Sequence, residues 1–333
     1  MIKKELGQFY TTKASYIFDE IDIKHINNPI IEPFVGNGDI LDWLFICNME
    51  CNEYYDIDPK IKNTIKRDTL LNPPSYKNKF VITNPPYLAR NKSKNKTLYD
   101  IYGLDDLYKI FIKTFVDGDA CGGIIIIPQN FLTSEDSNIR KLFFENYHII
   151  RINIFEERVF EDTDYSICSI YFMKEQKNNN IEVCFYPNKE KMIITLNENN
   201  RWRFGGDIEL FKKKKGKYKI SRLVVGGTPN TNLFLHCVDT GSSDGKISLS
   251  IEKDPYYGIL TDRVFATILS NYEILDESYV VEEFNLRLNK LRNEYHSMFL
   301  TNFRNSSKEY SRKRIGFGMA FTMIENILNE KWG

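Results

Sequence analysis

Val81-Ile82-Thr83-Asn84-Pro85-Pro86-Tyr87 is the stretch of this chain best equipped for chemistry. An apolar run ends in an amide, two prolines and an aromatic ring, which reads as a buried strand delivering a rigid polar turn. The prolines fix φ and remove two backbone donors, while the Pro85 carbonyl and the Asn84 side-chain oxygen remain as acceptors. Tyr87 adds a flat ring. Two acceptors beside an aromatic plate suit an exocyclic amino group on a planar heterocycle.

Upstream lie further groups that could hold a ligand. Leu6-Gly7-Gln8-Phe9-Tyr10-Thr11-Thr12 is a glycine turn leading to a helix start, suited to a carboxylate. Pro29-Ile30-Ile31-Glu32-Pro33-Phe34-Val35-Gly36-Asn37-Gly38-Asp39 reads as a buried strand, a glycine turn and a helix, the first crossover of a nucleotide-binding sheet. Gly36 and Gly38 admit a ligand close to the backbone, and Glu32 could accept from an ammonium group. An acid about twenty residues beyond such a turn, here Asp56 in Tyr54-Tyr55-Asp56-Ile57-Asp58, is placed to bind two ribose hydroxyls. Asp58 is read as an N-cap for a following helix, and Asp68 as an acid ending a third strand, placed for an adenine amino group.

The order and spacing of these elements resemble the gamma-class DNA N6-adenine methyltransferases, over about residues 4–175. Gly7–Thr11 resembles the motif that holds the methionine carboxylate of S-adenosylmethionine (AdoMet). Glu32–Gly38 resembles the first cofactor motif, Asp56 the ribose acid, Asp68 the adenine-binding acid and Asn84–Tyr87 the catalytic tetrapeptide. The resemblance implies cofactor contacts from Gln8, Tyr10, Thr11, Glu32, Phe34, Gly36, Gly38, Asp56, Ile57, Asp68 and Asn84. It implies catalysis by Asn84, Pro85, Pro86 and Tyr87, with Tyr87 and Phe160 stacking on a flipped adenine. Thr12 stands where the family often has proline, and Asp56 where glutamate is common.

The implied fold is α/β: a Rossmann-like AdoMet-dependent methyltransferase domain with a mixed seven-stranded sheet over residues 1–175. A target-recognition domain over 176–333 is expected to follow. Leu104–Val116 has helical periodicity, Gly122–Pro128 reads as a doubly buried strand, and Ile149–Phe155 and Ser166–Phe172 as the last two strands. The polar stretch from Glu175 to Asn180 is the expected boundary.

Beyond it, Lys212–Lys217 and the arginines of Leu300–Arg304 and Tyr310–Arg314 are candidates for contact with DNA, as is the basic loop Arg90–Lys96 beside the tetrapeptide. Glutamine N5 of a protein and cytosine N4 are alternative methyl acceptors. The order of domains, with the cofactor fold near Met1 and the extra segment after it, favours DNA over protein. Asparagine rather than serine at position 84 favours adenine over cytosine N4. A cytosine C5 mechanism needs a cysteine nucleophile, and no Pro-Cys dipeptide occurs.

Composition sets the outer bounds. The 333 residues are 42% hydrophobic and 27% charged, as in globular chains, with zero formal net charge, so any nucleic-acid surface has to be local. Six scattered cysteines make no disulfide framework, and no stretch approaches a membrane span, so a cytoplasmic protein, bacterial or phage-encoded, is expected. Cys47 and Cys51 are spaced i, i+4, but the four histidines are scattered and no metal is expected. The expected partners are AdoMet and double-stranded DNA, with a separate restriction endonuclease as a potential companion.

Overall fold

The computed structural model describes the chain except residues 1–6, 8, 135–137, 161–164, 175–179, 209–211, 240–245 and 304–311. Gln8, the segment 175–179, Arg304 and Tyr310–Ser311, all singled out above, therefore lie outside the described residues. The chain divides into two compact units, Met1–Arg203 and Phe204–Asn305 with Tyr310–Gly333.

The first unit is built on one sheet of nine strands in the order β3-β2-β1-β4-β5-β7-β6-β8-β9. After the short helix α1 (Ala14–Ile17) come β1 (Ile30–Glu32), α2 (Asp39–Ile46), β2 (Glu53–Asp56), β3 (Ile65–Lys66) and β4 (Phe80–Thr83). These four strands are parallel to one another. β1 and β4 are buried at every residue, which is why their apolar residues run consecutively, Ile30-Ile31 and Phe80-Val81-Ile82, rather than alternating. Next follow α3 (Thr97–Tyr102), α4 (Leu107–Asp117), β5 (Gly122–Pro128), α5 (Asn130–Thr133), α6 (Asn138–Asn146), β6 (His148–Phe155) and β7 (Ile167–Met173). β5 extends the parallel set, and β7 enters antiparallel between β5 and β6. These seven strands form the mixed α/β sheet of the expected methyltransferase fold.

Two strands were not foreseen. β8 (Asn180–Tyr186) runs parallel to β6, and β9 (Glu190–Thr195) pairs antiparallel to β8 at the sheet edge. The expected break after residue 175 therefore falls between strands of one sheet, and the compact unit continues to Arg203. The polar composition of 175–180 marks a connection within this unit. Asp58 also departs from expectation: residues 57–64 contain bends and no helix, so it caps nothing. Cys47 is the residue after α2 and Cys51 lies beyond it, so the two do not share a helix face.

The second unit is α+β. β10 (Ile220–Arg222), β11 (Leu233–His236), β12 (Ser248–Ile251) and β13 (Phe265–Ser270) form an antiparallel sheet in the order β10-β13-β11-β12. α7 (Glu277–Glu294), the hairpin β14 (Thr301–Phe303) and β15 (Arg312–Arg314), and α8 (Phe317–Trp332) complete it. The Asp276 carboxylate caps α7 by accepting from the Tyr279 N–H at 3.0 Å. Val280, Phe284 and Leu288 of α7 and Ile324, Ile327 and Leu328 of α8 share a core with Leu233, Leu235 and Ile268 of the sheet. Among the described residues no helix is long and apolar enough to cross a membrane.

Candidate active site

In an open α/β sheet, ligands bind outside the carboxyl ends of the parallel strands, because the loops leaving those ends diverge and leave a crevice. Here Glu32 ends β1, Asp56 ends β2, Asp68 follows β3 and Asn84 follows β4. Asp56, Asp68 and Asn84 line one cavity of about 360 Å3, together with Phe9, Tyr10, Phe34, Gly36, Ile57, Arg67 and Pro86. Leu70, Leu88, Leu98 and Leu107 give it an apolar wall, and Lys92–Asn95 form another side. Thr11 borders a small adjoining recess shared with Tyr10, Gly36 and Asn84.

The two acids are held by backbone donors. Asp56 accepts from the Gly36 N–H at 2.9 Å on one carboxylate oxygen and from the Asp58 N–H at 2.8 Å on the other. Each oxygen keeps a further lone pair. Asp68 accepts through Oδ1 from the Leu70 and Leu71 N–H groups, both at 3.1 Å, while its Oδ2 has no partner among the described residues. Gly36 adopts φ +56°, and a Cβ there would come within 2.7 Å of the Tyr10 ring. Both the left-handed backbone and the tight approach therefore demand glycine. The Lys60 ammonium sits 4.0 Å from the centroid of that Tyr10 ring and donates to its hydroxyl at 2.6 Å.

Glu32 is set apart. It is fully buried and absent from the cavity wall. Its Oε1 accepts from the Phe34 N–H at 3.0 Å and from the Thr83 hydroxyl, while Oε2 has no partner. Burial pushes its pKa up to about 8.

The tetrapeptide is tied to the N-terminal segment. The Tyr87 N–H donates to the Gly7 carbonyl at 2.9 Å, and the Asn84 amide nitrogen donates to the Phe9 carbonyl at 2.7 Å. Gly7 is in the left-handed region, at φ +67°, and a Cβ would meet the Tyr87 carbonyl at 2.6 Å. The Tyr87 hydroxyl lies against Asn84 Oδ1 and 2.7 Å from the Ile126 carbonyl, and its single proton serves one of them at a time. Nδ2 on a carbonyl and Oδ1 on a hydroxyl fix which way the Asn84 amide points. The Pro85 carbonyl accepts no hydrogen bond among the described residues.

Tyr87 is only 2% exposed and does not line the cavity. Phe9 does, with its ring stacked on Tyr87 at 5.8 Å between centroids and 29° between planes. Tyr165 meets both rings edge-on. Phe160 is buried and, with Gly38 and Pro85, lies outside the cavity wall. Of the basic loop, Arg90 pairs with Asp100 at 2.7 Å, whereas Lys92 and Lys94 face the cavity. Phe9 is the contributor that side-chain chemistry alone did not single out, although it stands inside the Gly7–Thr11 motif.

Residues 18–160 match the family model described as Eco57I restriction-modification methylase. No curated protein matches the chain. Among solved structures, the type I restriction-modification methyltransferase subunit from Streptococcus thermophilus is 14% identical, with a TM-score of 0.40, covering 56% of this chain and 50% of that one. A structure describing complex assembly of the type I R-M system matches at 12% identity and a TM-score of 0.44, covering 54% of this chain and 45% of that one. The type IIL restriction-modification enzyme MmeI, solved in complex with DNA, matches at 11% and 0.40, over 62% and 40%. The chain spans half or less of the length of each of these three structures.

Proposed function

We propose that this chain is an AdoMet-dependent DNA methyltransferase that modifies the N6 amino group of adenine in double-stranded DNA. The observation that carries the reading is the convergence of Asp56, Asp68, Gly36 and Asn84 on one cavity at the strand ends. Its volume lies within the range of small-ligand sites. The glycine turn that no Cβ could occupy and the two backbone-pinned acids fit a nucleoside-containing cofactor. The match of residues 18–160 to a restriction-modification methylase model supports the same reaction class.

Bound in this cavity, AdoMet supplies an electrophilic methyl group. Asp56 is assigned to the ribose hydroxyls, Asp68 through Oδ2 to the adenine amino group, and Tyr10 and Thr11 to the methionine end. Asn84 Oδ1 keeps one lone pair beyond the Tyr87 hydroxyl, and the Pro85 carbonyl is unused. These two acceptors would take the hydrogens of the target amino group and aim its nitrogen lone pair at the cofactor. Catalysis is then positioning and electrostatics, with no protein nucleophile.

The target base must leave the helix, at a cost of roughly a few kcal/mol, and stacking on an aromatic side chain returns about 1–3 kcal/mol. We assign that stacking to the Phe9–Tyr87 pair, with Phe9 presenting the surface the cavity exposes. Phe160, outside the wall, has no part in this assignment. The second unit is assigned to target recognition.

Modification-sensitive long-read sequencing of DNA from cells expressing the parent chain or Asn84→Ala tests the reading. N6-methyladenine in one sequence context, lost in Asn84→Ala, is expected. Modification on cytosine N4, or none with the soluble parent chain, would overturn it.

A further inference from the structure

The cavity at the strand ends continues into the small recess, which shares Phe9, Tyr10, Phe34, Gly36 and Asn84 with it. The recess offers about 20 Å3, room for a head group the size of a water molecule or little more. Its wall is made of uncharged side chains with one exception, Asp39, the first residue of α2.

Gly38 sets Asp39 in place. At φ +93° it turns the chain out of the strand end into α2, and its carbonyl accepts from the Asp42 N–H at 2.9 Å. Asp39 is half-buried, and beyond its own N–H its carboxylate meets no donor and no cation among the described residues. Burial raises its pKa, the bond to its own N–H works against that, and the negative charge of Asp42 adds to the rise. The first turn of α2 favours an anion but supplies no full counter-charge. A second polar group opens on the same recess: Thr11 is 8% exposed, and its hydroxyl has no partner among the described residues. Glu32 borders neither the recess nor the cavity, and with its pKa raised by burial to about 8 it holds its proton at neutral pH.

We propose that Asp39 accepts the α-ammonium of AdoMet, while the Thr11 hydroxyl on the same recess donates to the methionine carboxylate. The assignment rests on the AdoMet reading above and deepens it, since that reading left the ammonium without a partner. With the ribose at Asp56 and the methyl group before Asn84, the methionine chain runs on into the recess. A partly desolvated carboxylate with no counter-charge gains most from a cation, and an ammonium is small enough for the space. Sequence order pointed to Glu32 for this role, but a protonated acid outside both walls offers an ammonium neither charge nor contact.

Calorimetric titration of the full chain with two ligands tests the assignment. One is S-adenosylhomocysteine, which carries the whole amino-acid end; the other is its desamino analogue, which keeps the carboxylate but lacks the ammonium. The parent should bind S-adenosylhomocysteine about 10- to 100-fold more tightly, as for one charge-assisted contact. Asp39→Asn keeps the size of the side chain and should lose most of that preference, through weaker S-adenosylhomocysteine binding with the desamino analogue held as before. Asp42→Asn removes the same charge from an exposed position three residues along and should leave the preference intact. Equal affinities for the two ligands in the parent would overturn the assignment. A parent-like preference in Asp39→Asn would do the same, as would an equal weakening of both ligands, which would make Asp39 a support of the cavity and no more. A folded parent chain that binds neither ligand would overturn the AdoMet reading itself.

Discussion

The carboxyl edge of the parallel sheet in the first unit and the outward face of the antiparallel sheet in the second gather their side chains in opposite ways. At the carboxyl edge each contributor arrives as one contiguous stretch of strand plus turn, so Asp56 brings the Asp58 N–H that it accepts from and Asn84 its own prolines. On the outward face Phe234 and His236 of β11 meet Phe265 of β13, alternating positions on two strands about thirty residues apart in sequence. A parallel sheet delivers chemistry at strand ends, where consecutive residues act together. An antiparallel sheet with one free face delivers it across strands, where only every second residue counts.

The largest expected effect lies at the carboxyl edge. Asn84→Ala removes an acceptor needed as charge develops on the amino nitrogen, and single-turnover methyl transfer to DNA should fall about 10²–10³-fold. A rate within a factor of three of the parent would break the assignment of catalysis to that edge. Next comes Asp56→Ala, which should weaken AdoMet binding by about 1.5–3 kcal/mol in calorimetry, through loss of a charge-assisted partner. Asp56→Asn, which keeps an acceptor oxygen for one of the two backbone donors, should lose less; equal losses in both would mean that the charge alone matters.

Glu32 sharpens the comparison through pH. Its folded pKa of about 8 lies above the usual carboxylate value of 4.5, so the native state holds this proton more tightly than the unfolded chain does. The associated stability is present below about pH 4.5 and is lost as pH rises towards 8. In ligand-free protein, Glu32→Gln should therefore melt with a flatter pH dependence than the parent between pH 5 and pH 8, measured by thermal unfolding. Parallel melting curves would mean that the Glu32 carboxyl is solvated or paired as an anion.

The smallest effect is expected in the lysine run. Lys213 pairs with Glu325 at 3.0 Å and Lys214 with Glu330 at 2.7 Å, both partners on α8. Asn326 accepts from the Lys214 N–H within the run, and Asn329 from the Tyr218 N–H just after it. Lys214→Ala should cost less than about 1 kcal/mol of stability, as for other exposed pairs, and leave the DNA salt slope unchanged. A log–log slope of DNA affinity against salt lowered by about 0.9 in Lys214→Ala would instead place that lysine on a DNA phosphate.

That run shows where sequence reasoning loses its grip. Lys212–Lys217 is the most basic stretch in the chain, and its composition alone marks it for DNA. Two of its cations nevertheless meet acids more than a hundred residues away. The position of Asp56 was legible because the distance from a glycine turn to the next strand end varies little in a parallel sheet. The placement of Tyr87 was not: an aromatic after two prolines says nothing about whether Phe9 covers it. The two extra strands were missed because a polar connection inside a sheet and a polar connection between domains have the same composition. Asp58 misled in a similar way, since an acid before proline promises a helix cap only where enough chain follows to build a helix.

The most direct measurement incubates purified chain with unmodified double-stranded DNA and methyl-labelled AdoMet, then digests the DNA and separates the nucleosides by mass spectrometry. Label in N6-methyldeoxyadenosine, absent with Asn84→Ala, is the predicted result. Label in N4-methyldeoxycytidine or in added protein substrate, with none in deoxyadenosine, would contradict it.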